Sequence, residues 1–369
     1  MEERLSAAGG EILAAVANGV ATVTLNRPAA LNALTRPMIE ALDGWLAAWE
    51  RDPAVRVVLL EGTGGKAFCA GGDIRALREG HLAGNGEPLR FFVAEYALDH
   101  RIHRYPKPVV ANLDGIVMGG GMGISQGARL RLAGPRTRIA MPETGIGLVP
   151  DVGGTWFLPR CPGRLGRYLG LTGVSIGGVD ALAAGLVDAC AGPDDLAALP
   201  RELATCAAAP DPGHAVDSLR SRLAGLAPPP GELERLRPAI DRHFAHDSVE
   251  AIDASLERET DAAFTDWAAK TRSTLARRSP TLLKVTLAQL ERGAALGLAE
   301  AFRLELGLVL ACFEHGDILE GVRALIVDKD NTPRWNPPSL AEVSADRVAG
   351  FFAPRWPAAD HPLSRLQDP

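Results

Sequence analysis

The chain lacks most of the features that fix a function at sight. Its five cysteines, Cys69, Cys161, Cys190, Cys206 and Cys312, are odd in number and scattered. None forms a CxxC pair, so the pattern implies a reducing compartment and excludes both a disulfide frame and a zinc site. The eight histidines are dispersed, and none pairs with carboxylates at a metal-ligand spacing. No apolar run approaches the roughly 20 residues needed to cross a bilayer. The start, MEERLSAAGGEIL, is acidic and resembles neither a secretory signal nor an Arg-rich transit peptide. An excess of basic charge is missing as well. The formal net charge is -6, which argues against nucleic acid as a partner. The clearest basic cluster, Arg101, His103, Arg104 and Lys107, is short and reads as a solvated helix end. A cytoplasmic protein without metal, membrane or nucleic-acid partner is the expectation.

What is present is a glycine-rich centre. Met118 to Gly154 reads MGGGMGISQGARLRLAGPRTRIAMPETGIGLVPDVGG. Gly119, Gly120 and Gly121 precede a helix-like segment, Met122 to Ala128. Without a Cβ, such a segment lets the backbone approach a ligand. The first N–H groups of a helix have no intrahelical partner and stand at the positive end of its dipole. They can face an oxygen on which negative charge develops, which is the physics of an oxyanion hole. Glu143 and Asp151 follow, eight residues apart across TGIGLVP, and offer carboxylate chemistry. A second glycine loop, GTGGKAFCAGGD, spans residues 62–73. Taken singly, each feature has a plain reading: a turn, a helix-start glutamate, a loop aspartate after Pro150. Their order is what points to a site.

Along the chain, Ile12–Val16 and Val20–Leu25 read as a hairpin across Asn18-Gly19. Thr35 and Pro37 open a helix with the periodic face Ile39, Leu42, Leu46 and Trp49. Val57–Leu60 is a buried-strand pattern. Leu89–Tyr105 reads as an amphipathic helix and Val109–Leu113 as a strand. Short strands at 129–132, 138–141 and 186–189 alternate with helices at 165–171 and 180–184. This alternation through residue 190 indicates one α/β core. Composition shifts near Gly192: PDDLAALP, APDPG and APPPG look like linkers around short helices. Helix then dominates, with starts at Ser279-Pro280 and Leu298. Residues 333–369 read as an irregular, proline-rich surface tail. The expected domains are therefore an α/β core over 1–191 and a mainly helical region over 192–369.

The motifs LNRPAALNAL (25–34), KAFCAGGDI (66–74), PKPVVANLDGIVMGGGMG (106–123) and MPETGIGLVPDVGGT (141–155) resemble the crotonase, or enoyl-CoA hydratase/isomerase, superfamily. PDVGG with Asp151, SPTLLKVTLAQLERG (279–293) and GDILEGVRALIVDKDNTPRW (316–335) are most similar to its 3-hydroxyisobutyryl-CoA hydrolase group. The resemblance implies a spiral of repeated β-β-α units followed by a helical C-terminal region. It implies an acyl-CoA thioester substrate, with coenzyme A as part of the substrate and no separate cofactor. It assigns the oxyanion-hole donors to Gly72 and Gly120. Glu143 matches the glutamate beside the thioester, and Asp151 the extra carboxylate of the hydrolase group. Ala30, Leu31, Ala70, Gly71, Ile74 and Gly119 match CoA-binding positions. Superfamily members often form trimers, so the resemblance allows a homo-oligomer.

Two departures from hydratases bear on the reaction. Hydratases resemble GGGCEL at the glycine run, with a second catalytic glutamate; here the segment is GGGMGI, and that position is Gly123. Water addition across a double bond benefits from two acid–base groups, so this loss argues against a hydratase. Ala29 stands where hydratases often carry a lysine near the CoA phosphates, leaving Lys66 and Arg75 as the candidate phosphate partners. The leading expectation is hydrolysis of a short branched 3-hydroxyacyl-CoA, most simply 3-hydroxyisobutyryl-CoA from valine breakdown. The alternatives are a hydratase or isomerase using Glu143 alone, and a non-catalytic acyl-CoA-binding protein.

Overall fold

A computed structural model describes residues 3–225, 229–315 and 317–368. Its strands are β1 (Glu3–Ala7), β2 (Ile12–Ala17), β3 (Val20–Leu25), β4 (Val57–Gly62), β5 (Ala67–Cys69), β6 (Val109–Asn112), β7 (Ile116–Met118), β8 (Leu130–Ala133), β9 (Arg138–Ala140), β10 (Ile176–Gly177) and β11 (Ala189–Cys190). The seven-stranded sheet has the order β1-β2-β3-β4-β6-β8-β11, and the four-stranded sheet β10-β9-β7-β5.

Asn18, at φ 51°, and Gly19, at φ 79°, make the tight turn that sets β2 antiparallel to β3, with Ala17 opposite Val20. From β3 onward the large sheet is parallel: β3 to β4, β4 to β6, β6 to β8 and β8 to β11. Each of β4, β6 and β8 is followed in the chain by a strand of the small sheet, β5, β7 and β9. Successive turns thus leave one strand in each sheet, and a repeated β-β-α spiral is the result. Strands covered on both faces read as continuous apolar runs, as in Val57–Leu60 and Val109–Ala111, all buried. Val57, Leu59, Val110, Leu130 and Leu132 form one cluster with Leu199, Leu203, Val216, Leu219 and Leu223 from the helices Pro193–Ala208 and Pro212–Ala224.

Every described element after Cys190 is helical. The compact units nevertheless interleave along the chain. One comprises Met1–Asp73, Ala94–Ile139 and Ile176–Gly231; the other comprises Ile74–Val93, Ala140–Ser175 and Glu232–Pro369. Within the second unit, Ser279 caps the helix Pro280–Gly293 by accepting the Leu282 N–H at 3.1 Å, as the Ser-Pro start implies.

Several sequence expectations need correction. PDDLAALP opens the sixteen-residue helix Pro193–Ala208 instead of a linker, because Leu199 and Leu203 share an apolar stripe that the cluster above buries. The APPPG segment lies partly outside the described residues. Residues 333–368 are not merely a surface tail: they include the helix Ala345–Phe351, and Val343, Phe351 and Leu363 are buried. Prolines there interrupt helices without preventing burial. The strand expected at 186–189 is only Ala189–Cys190, and β1, β5, β7 and the helix Ile74–Leu82 were not anticipated. No described helix is long and apolar enough to cross a membrane.

Candidate active site

In the first unit the two glycine loops meet. The segment Leu31–Leu34 runs beside Ala70–Asp73: the Ala70 N–H donates to Leu31 O at 3.0 Å, Leu34 N–H to Gly71 O at 2.8 Å, and Asp73 N–H to Leu34 O at 2.9 Å. Asn32, fully buried and at φ 57°, organises this junction. Its amide donates to Thr63 O and Ala67 O, and its oxygen accepts the Arg27 N–H. Arg27 in turn bridges Glu11 at 3.0 Å and Asp73 at 2.8 Å. Gly71, at φ 105°, lies so close to the GGG run that a Cβ on it would sit 3.3 Å from Met118 O and 3.6 Å from Gly120 N. A Cβ on Gly120 would stand 3.4 Å from Gly72 N. The two donor positions assigned by the resemblance are therefore neighbours.

The helix at this point runs Gly120–Gln126, two residues earlier than expected, with Gly119 before it at φ 46°. Met122 and Gly123 donate back to Gly119 O, at 2.7 and 3.2 Å. Among the described residues neither Gly72 nor Gly120 donates its N–H to a backbone carbonyl, so both are available to a ligand oxygen. Ala30, Leu31, Ala70, Gly71 and Gly119 all belong to this junction; Ile74 instead opens the helix Ile74–Leu82 of the second unit. The Arg75 guanidinium donates to Ile326 O at 2.6 Å, and Lys66 is exposed.

Glu95 was missed by the sequence reading. It is 2% exposed, and its Oε1 occupies the space a Cβ on Gly120 would need. The signal was there: Phe91, Glu95, Leu98 and Ile102 follow helical spacing, so the acid lies on an apolar stripe. Asp99 is buried one turn further on. Burial foremost, with these two carboxyls adding, pushes the Cys69 thiol up to about 12, so it is not a nucleophile at neutral pH.

In the second unit, Met141–Thr155 is held from several sides. Glu143 starts a single helical turn, and Ile146 and Leu148 both donate to its carbonyl. Ser279 N–H donates to Thr144 O at 3.1 Å, while the Ser279 hydroxyl donates to Asp317 at 2.6 Å. Gly147, at φ 77°, abuts the Asp317 backbone so closely that no side chain fits. Gln289 donates to Pro150 O at 2.6 Å and to Thr155 Oγ1 at 2.7 Å. The loop is thereby fixed at both ends.

Glu143 and Asp151 are 4% and 3% exposed. Burial, and then the neighbouring Asp151, raise the Glu143 pKa well above the usual carboxylate range. Glu143 Oε2 has no hydrogen-bond partner among the described residues. A buried carboxyl with one oxygen unsatisfied and a second acid beside it is arranged for proton exchange with a ligand. Among the described residues no three His, Cys, Asp or Glu side chains gather as a metal ion would require.

A sequence model described as Enoyl-CoA hydratase/isomerase matches residues 20–352. The chain belongs to this family. Among curated members, the mitochondrial 3-hydroxyisobutyryl-CoA hydrolase of Danio rerio is 42% identical over 350 residues, covering 94% of this chain and 91% of that protein. The Homo sapiens protein of the same name is 37% identical, covering 94% of this chain and 89% of its own length. Among solved members, a carnitinyl-CoA dehydratase from Mycobacterium thermoresistibile aligns with TM-score 0.86 at 39% identity, covering 94% of this chain and 97% of that one. An enoyl-CoA hydratase from Rhodobacter sphaeroides 2.4.1 aligns at 0.84 and 39%, covering 94% and 98%. The spiral of the first unit is thus the fold of the enoyl-CoA hydratase/isomerase family.

Proposed function

We propose that the chain hydrolyses the thioester of a short branched 3-hydroxyacyl-CoA, with 3-hydroxyisobutyryl-CoA the leading substrate. The observation that carries this reading is the buried pair Glu143 and Asp151, each within the field of the other. The named hydrolases among the curated relatives support it over nine-tenths of the chain.

Thioester hydrolysis needs a stabiliser for the carbonyl oxygen as it becomes an oxyanion, and a group that delivers water's oxygen to the carbon. Gly72 and Gly120 N–H groups serve the first need; such a donor is worth about 3–4 kcal/mol in other enzymes. Glu143 serves the second, by attacking the carbon itself to give a mixed anhydride or by taking the proton of attacking water. Asp151 holds the 3-hydroxyl or water and exchanges a proton with the leaving thiol. In the anhydride route the C–S bond breaks as the thiolate leaves, and water then cleaves the anhydride and restores the Glu143 carboxylate. In either route one water is consumed, the thiolate takes up a proton, and the hydroxy acid and CoA thiol are released. Ala30, Leu31, Ala70, Gly71, Ile74 and Gly119 hold the CoA portion. The proposal includes no separate cofactor, a cytoplasmic site of action suggested by the scattered free cysteines, and self-association as in other superfamily members. The curated relatives are named as mitochondrial.

A hydratase is the second reading, favoured by the solved relatives named as a dehydratase and a hydratase. Against it stands Gly123, buried within its helix where the second glutamate of a hydratase belongs. Thiol release from a panel of acyl-CoAs separates the readings: hydroxyacyl-CoAs as the fast substrates support the hydrolase, and no release from any of them overturns it.

A further inference from the structure

Besides Glu143 and Asp151, the second unit buries the carboxyls of Asp317 and Glu305, which the mechanism above does not use. Glu305 lies on the helix Leu298–His315 with no exposed surface. It stands at an apolar position of that helix, among Leu298, Ala301, Phe302, Leu308, Val309 and Cys312, where burying a charge is costly. Both of its oxygens are used. Oε2 accepts the Gly153 N–H and Oε1 the Thr155 N–H, each at 2.8 Å.

These bonds hold a turn that would not hold itself. Val152 has φ 52°, a left-handed conformation that a β-branched residue rarely adopts, and Gly153 follows at φ 91°. The Gly154 N–H donates to Asp151 O at 2.7 Å, closing the turn upon the carboxylate-bearing residue. Strain of this kind persists only where its surroundings over-determine it. Glu305 from one side and Gln289 from the other supply that constraint.

We infer that Glu305 is a positioning residue for Asp151, clamping the strained 151–155 turn through the Gly153 and Thr155 N–H groups. The inference rests on the hydrolase reading for its consequence in catalysis. Burial foremost, then Asp151, raise Glu305 to about 8, so at neutral pH it holds the turn as a neutral carboxyl. Glu143, which lies within the field of Asp151, comes from the preceding turn. Cys312, on the same helix as Glu305, lies within the fields of Asp317, Asp151 and Arg355. The helix Pro280–Gly293 presents only the uncharged Gln289. Arg355 is itself engaged by Glu314 at 2.6 Å.

The test compares Glu305→Gln, which keeps one acceptor for the Gly153 and Thr155 N–H groups, with Glu305→Leu, which keeps none. Amide hydrogen exchange at Gly153 and Thr155 reads the clamp directly, and thiol release reads its consequence. Exchange at both amides should accelerate at least ~10-fold in Glu305→Leu and less in Glu305→Gln. The kcat for thiol release should fall about 10-fold in Glu305→Leu at nearly constant KM, with partial recovery in Glu305→Gln. Parental exchange at both amides in folded Glu305→Leu overturns the inference. If that variant does not fold, Glu305→Gln decides by the same two amides, and parental exchange there overturns the inference. If exchange changes as stated but the parent releases no thiol, the hydrolase reading fails and the inference about Glu305 stands.

Discussion

A methyl group placed on Gly120 would overlap Oε1 of Glu95. Gly120 has helical backbone, so alanine is tolerated there conformationally and the penalty is one of space alone. Gly120→Ala should displace the Glu95 carboxyl or tilt the helix start, and Gly120→Val should abolish thiol release and weaken CoA binding. Steady-state kinetics with CoA inhibition constants check this; parental values for the valine variant would place the oxyanion hole elsewhere.

Glu143→Gln and Asp151→Asn should each lower thiol release by at least ~10²-fold, as expected for acid–base loss. Both substitutions keep shape and remove a buried ionisable group, so melting temperatures should not fall. A variant retaining near-parental turnover removes its residue from the mechanism.

The helix Pro280–Gly293 buries Leu282, Leu283, Val285, Leu287 and Leu290 and supplies the Ser279 and Gln289 bonds to the 144–155 loop. Truncation at about residue 275 should expose this apolar contact and give insoluble or unstable protein. Solubility and circular dichroism of the 1–275 fragment measure it; a soluble, active fragment contradicts the account.

Glu305 keeps its proton in the folded chain up to about pH 8, against an ordinary value of 4.5. Between those values the native state binds more protons than the unfolded state. The stabilisation is complete below about 4.5 and is lost as pH rises toward 8. Glu305→Gln abolishes this titration. Between pH 5 and pH 8 its melting temperature should therefore fall less than that of the parent, which thermal melts at both values will show. Groups common to both proteins, such as the buried His103, held down to about 4, cancel in the comparison.

These cases also show where the sequence was legible. The Asn18-Gly19 hairpin, the helix at Arg36–Trp49 and the Ser279 cap carry local signals, and local physics sufficed to read them. The GGG run and the PET and PDVGG loops were legible by order and resemblance. What stayed hidden depends on distant partners. Nothing near Val152 announces a left-handed turn, because Glu305 holds it from 150 residues away. Glu95 and Glu305 could have been found as acids on apolar helix stripes. Their roles required seeing what each stripe faces.

The central claim is the reaction type, and one preparation can decide it. Thiol release from 3-hydroxyisobutyryl-CoA and 3-hydroxypropionyl-CoA should be measured beside the loss of enoyl absorbance from crotonyl-CoA. With Gly123 in place of a second acid, the account predicts rapid thiol release from the hydroxyacyl-CoAs and slow or no hydration of crotonyl-CoA. Fast hydration of crotonyl-CoA without thiol release from either hydroxyacyl-CoA would contradict it.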